Sequence, residues 1–108
     1  MTTRTYKFDR RPAPELRDIL SQRAAGYGFA QIADAFGVHR RTVYLAIDRA
    51  ADRGELPPAL LWVLFPEDED ARRRLFSRIR SARARGVEVA GWDQVERARA
   101  AYARRTGA

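Results

Sequence analysis

Arginine is the residue type in this chain with the most chemistry to offer. Twenty-one basic residues stand against 14 acidic ones, a formal net charge of +7, and Lys7 is the only lysine among them. A guanidinium carries a planar fork of donors that matches the oxygens of a phosphate or the edge of a guanine, where an ammonium supplies only a point charge. The charge is clustered. Arg4, Lys7, Arg10 and Arg11 fall in the first 14 residues with Pro12 and Pro14, and seven arginines with no acid lie between residues 71 and 86. Abundant arginine together with alanine also has a second origin, a GC-rich coding sequence, so position rather than number is informative.

Other chemistries are poorly supplied. Ser21, Ser77 and Ser81 have no histidine or acid arranged beside them to activate a nucleophile, and no Gly-Lys-Ser phosphate loop is present. Cysteine is absent and His39 is the single histidine, which leaves no thiolate or histidine cluster for a metal. The expectation is a protein that is not an enzyme and takes no cofactor or metal. The longest apolar run, residues 60–65, is far below the roughly 20 residues of a membrane span. A chain of 108 residues suits one compact domain, or one small domain with an appended set of helices.

The patterning is helical throughout. Residues 1–14 read as a basic arm, since two prolines disfavour a helix there. Helix one begins near Glu15, carries Leu16, Ile19 and Leu20 at helical spacing, and stops at Gly26 and Gly28. A short second helix over residues 29–36 places Ile32, Ala33 and Phe36 on one face before Gly37. The third runs over about 40–53 with Val43, Ala46, Ile47 and Ala50 inward, and Gly54 closes it. Residues 59–65 are helix or strand by pattern alone, and Pro58 at a first turn favours helix. Four carboxylates, Glu67 to Asp70, then open a helix that reaches about Arg85, because they complement the positive end of its dipole. A last helix follows to about Arg105 with Trp92, Val95, Ala98 and Tyr102 as its apolar stripe. Trp62, Phe65, Trp92 and Tyr102 are read as core or subunit interface. The fold class is therefore all-α: a three-helix module over residues 15–54 and a C-terminal helical extension over residues 58–105.

Within the first half, residues 29–48 have the layout of two helices packed steeply across a tight turn. Ala33 is small at the closest approach, Gly37 supplies the positive φ of the turn, and Ile32, Phe36, Val38, Val43 and Ala46 fill the shared interior. This is a helix-turn-helix pattern, and it points to double-stranded DNA.

Over about residues 10–53 the chain resembles the helix-turn-helix modules of bacterial regulators, and especially those of the resolvase and invertase recombinases. The likeness rests on the Arg-Arg-Pro arm, the Gly-Tyr-Gly-Phe approach to the second helix, and Phe-Gly-Val followed by Arg-Arg-Thr-Val-Tyr. Sigma-factor region four has a similar layout. The resemblance implies that the second helix of the motif enters the major groove and that its first residues meet base edges. It would aim His39, Arg40, Arg41, Tyr44 and Leu45 at DNA, with Thr42 and Arg49 nearer the phosphates. His39 departs from the serine common at the position before the recognition helix; its alternatives are a cap, a solvated turn residue or a DNA contact. Tyr44 has packing on the helix surface as its alternative. The recombinase catalytic domain has no room in this length.

By the same resemblance, Arg4, Lys7, Arg10 and Arg11 would enter the adjacent minor groove, against the alternative of a solvating terminus. Arg72, Arg73, Arg74 and Arg78 would clamp the phosphate backbone, against an acidic partner, a pairing with Glu67 to Asp70 of another copy, or a solvated face. The expected function is sequence-specific DNA binding by a transcriptional repressor, or by an accessory factor in recombination, excision or phage DNA packaging. The C-terminal helices would serve a homodimer or extend the footprint. The setting that fits is a bacterial or phage protein, cytoplasmic and nucleoid-associated, with no membrane association.

Overall fold

The computed structural model describes residues 12–107, and every regular element in that range is a helix. The chain divides into two compact units, one ending at Ala50 and the other starting at Ala51.

The first unit is built on three helices: α1 (Leu16–Ala24), α2 (Phe29–Phe36) and the greater part of α3 (Arg40–Asp52). Its core is Ile19, Ile32, Ala33, Val38, Val43 and Ile47, all essentially removed from water. Burying each of the larger aliphatic side chains stabilises the fold by about 1.5–3 kcal/mol. Val43, Ile47 and Ala50 recur at i, i+4 and i+7, one narrow line along α3. Ala46 was expected inside with them and is half-buried, because it sits about 60° round the helix from Val43, at the margin of that line.

Local chemistry sets the helix ends. Gln31 Oε1 accepts from the Gly28 N–H at 2.8 Å and ties the entry to α2. At the other end Gly37 takes φ 68° and ψ 33°, and the Val38 N–H reaches back to the Ala33 carbonyl at 3.0 Å. That left-handed turn is open to glycine at little cost and satisfies a carbonyl that the helix would otherwise leave unpaired.

The second unit holds a 3₁₀ turn (Pro58–Leu60) leading into α4 (Leu61–Leu64), then α5 (Glu69–Ala84) and α6 (Trp92–Thr106). The ambiguous apolar segment is thus helical, short and tight, with Pro58 in its first turn. Leu56, Leu61, Leu64, Leu75, Ile79 and Ala82 form most of the core. Leu75, Ile79 and Ala82 are the i, i+4, i+7 face of α5. Of the four carboxylates at the start of α5, Asp68 is the cap: its Oδ1 accepts from the Ala71 N–H at 3.1 Å. Glu69 and Asp70 lie in the first turn and Glu67 precedes the helix.

The four aromatic residues expected as core or interface separate. Phe65 is buried, and Trp92 is half-buried and stacked on Phe76, with ring centroids 6.0 Å apart. Trp62 and Tyr102 are 61% and 63% exposed. The reason is geometric: α4 has one turn, whose inward positions go to Leu61 and Leu64, and α6 buries none of its residues.

Candidate nucleic-acid interface

The N-terminal turn of α3 is the centre of the candidate site. It begins directly after the Gly37 turn, and Val38, buried beneath, anchors the chain as it enters the helix. His39 is exposed but structurally engaged. Its Nδ1 accepts from the Arg41 backbone N–H at 3.0 Å, while its carbonyl accepts from the Thr42 N–H at 2.8 Å. His39 is therefore the cap of α3.

Seen down α3, Arg41 and Leu45 fall opposite the Val43–Ile47–Ala50 line. Both are exposed, as are Arg40 and Arg49. No hydrogen bond or ion pair among the described residues engages the side chains of Arg40, Arg41 or Arg49, so their donors point into solvent at a helix face with no competing partner. Thr42 is half-buried on the flank. Asp48 shares the outward side of α3 and is half-buried.

Tyr44 also makes a contact within the protein. Its ring lies 4.8 Å from that of Phe29, tilted by 39°, and the Arg23 guanidinium covers the other ring 4.4 Å from its centroid. Arg23 also donates to the Tyr27 carbonyl at 2.8 Å. This stack joins α1, α2 and α3 at the surface, which makes Tyr44 half-buried. Sequence spacing contains no signal for it, because Phe29 and Tyr44 belong to different helices.

The arginines of α5 are mostly engaged within their own unit. Arg72 donates to the Phe65 carbonyl and lies 3.7 Å above the Trp62 ring. Arg73 pairs with Glu69 at 3.1 Å, one turn back. Arg78 forms a bidentate pair with Asp52, and Arg83 pairs with Glu96 at 3.3 Å. Arg74 is exposed. Arg4, Lys7, Arg10 and Arg11, the expected arm, lie outside the described residues.

Among the described residues no group of histidine, cysteine and carboxylate side chains is placed to hold a metal, and no helix is long and apolar enough to cross a membrane. No curated protein and no solved structure matches the chain. A family model does: the homeodomain-like domain matches residues 16–60, which take in α1, α2, α3 and the 3₁₀ turn. Over that stretch the chain is similar to a helix-turn-helix DNA-binding fold, and DNA is the partner that such a module supports.

Proposed function

We propose that this protein binds double-stranded DNA sequence-specifically, with the N-terminal turn of α3 in the major groove, and acts as a transcriptional repressor. The observation that carries the reading is the pair Arg40 and Arg41: exposed, without partners among the described residues, and presented by a helix start that His39 caps. Arg41 and Leu45 take the base-facing positions, while Arg40, Thr42 and Arg49 take phosphates beside them. Tyr44, packed on Phe29, and His39, which orients the first turn, stand beside them toward DNA.

The resemblance to resolvase and invertase modules supports a further role for Arg4, Lys7, Arg10 and Arg11 in the neighbouring minor groove. On α5, Arg73 and Arg74 are the proposed phosphate contacts. Arg78 is assigned to Asp52 instead, since a bidentate carboxylate partner must be given up before it can hold a phosphate.

Selection of bound sites from random duplexes by the full chain tests the reading. A defined motif is the expected result, and a pool without enrichment overturns it. A motif in the promoter of the protein's own gene supports repression. Neighbouring integrase or terminase genes would support the accessory role in recombination or packaging.

A further inference from the structure

The second unit carries an open groove of about 950 Å³ that the DNA-reading helix does not use. Its floor is apolar: Leu61 and Trp62 from α4, Phe76 from α5, and Val95, Ala98 and Tyr102 from α6. The last three follow the i, i+3, i+7 stripe of a helix that has no fully buried residue. Trp62 and Tyr102 are the two most exposed large apolar side chains among the described residues, at 61% and 63%, and both open onto this groove. Left in water, such a patch marks a surface for association.

The rim has one sign. Four arginines line the groove, Arg72, Arg73, Arg80 and Arg99, against the single carboxylate of Glu69. Glu69 is already paired with Arg73. Arg80 has no partner among the described residues, and Arg99 only approaches the Trp92 ring, at 5.8 Å. Duplex DNA would satisfy the rim but leave the aromatic floor wet, because its base faces are stacked on one another inside the helix and cannot pack on Trp62 or Tyr102. A second copy of this chain would cover the floor but meet it with the same rim, since a two-fold contact places a patch against itself and so arginine against arginine.

We propose that this groove docks an acidic amphipathic helix of a partner protein. Its apolar anchors at i, i+3/i+4 and i+7 enter between α4, α5 and α6 over Trp62, Phe76 and Tyr102. Its carboxylates pair with Arg80 and Arg99, and with Arg72 after exchange. The protein then couples a DNA site to a second protein through a face separate in sequence from the reading helix.

A labelled synthetic peptide with leucine and phenylalanine on one helical face and glutamate and aspartate on the other is the probe, titrated into the full chain by fluorescence anisotropy. Saturable binding is expected, weakened about tenfold or more by Arg80→Glu with Arg99→Glu and by Tyr102→Ser, with circular dichroism melts reporting that each variant still folds. Peptides with the apolar residues scrambled, or with lysine in place of the acids, should not bind. Equal binding of either control, or no binding of the probe, overturns the proposal. So does concentration-dependent dimerisation in sedimentation that Tyr102→Ser abolishes, because the groove would then belong to a second copy.

Discussion

Arg78 holds Asp52 by both carboxylate oxygens, Nε to Oδ1 at 3.0 Å and Nη2 to Oδ2 at 2.8 Å, across 26 positions of sequence. Asp52 is the last residue of α3, where a negative charge opposes the helix dipole. Arg78 offsets that, and Arg85 donates to the Asp52 carbonyl at 3.5 Å, covering a terminal acceptor.

This pair makes stability depend on pH. The hydrogen bond from Arg78 is the main influence on the Asp52 carboxyl; with the charges of Arg78, Arg85 and Arg53 it outweighs partial desolvation and holds the carboxyl below its ordinary value of 3.8. A carboxyl depressed in the folded state contributes stability that is present above its unfolded value and lost as pH falls through the folded one. Both side chains remain about two-fifths exposed, at 41% and 38%, so solvent screening limits the contribution. Asp52→Asn should cost roughly 1 kcal/mol at neutral pH. Urea denaturation should show that deficit shrinking as pH falls below the ordinary value; a deficit constant with pH would assign the loss to packing.

Gly54 should tolerate no side chain. It has φ +76°, its carbonyl accepts from the Ala90 N–H at 2.8 Å, and a Cβ would stand 2.2 Å from the Glu88 carbonyl oxygen. Backbone, unlike a flexible side chain, yields little, so Gly54→Ala should destabilise by about 1–3 kcal/mol. Denaturation of the variant measures it, and an unchanged midpoint would refute the close approach.

His39 as a cap and His39 as a DNA contact predict different things. His39→Ala should lower stability by about 0.5–2 kcal/mol. His39→Asn restores an acceptor at the helix start and should recover it. If capping is the whole role, DNA affinity recovers along with the melting temperature in His39→Asn. Recovery of stability alone would show that the ring also touches DNA.

Arg41→Ala should reduce specific binding by about 1–3 kcal/mol and relax the preference at one base pair. Binding-site selection with the variant reads both. An unchanged affinity and motif would remove Arg41 from the base-facing set.

Replacing Arg73 and Arg74 together by alanine should weaken binding to all duplexes alike. If both touch phosphate, the slope of log K against log salt flattens by roughly 2, close to one unit for each lost contact. An unaltered slope would leave α5 outside the DNA footprint.

Helix-turn-helix architecture was legible in the sequence because its determinants are local. Gly37 terminates α2 through its own φ, Val43 with Ile47 and Leu75 with Ile79 repeat at the helical period, and Asp68 caps α5 from three residues away. Each involves neighbours within about one or two turns, which spacing reports directly. Candidate DNA-facing residues were legible to the same extent: the outward position of Arg41 and Leu45 follows from the inward line of α3.

Tertiary structure alone decided which charges and rings are occupied. Only folding brings Asp52 to Arg78, 26 positions away. Phe29 comes beside Tyr44, and Arg23 over Phe29, only in the folded chain. Trp62 and Tyr102 have the composition of a core, and they remain in water because the inward positions of α4 belong to Leu61 and Leu64 and α6 is left uncovered. A guanidinium or an aromatic ring satisfies carboxylate, carbonyl, ring or phosphate almost equally well, so its identity names a set of partners and its position in space selects one.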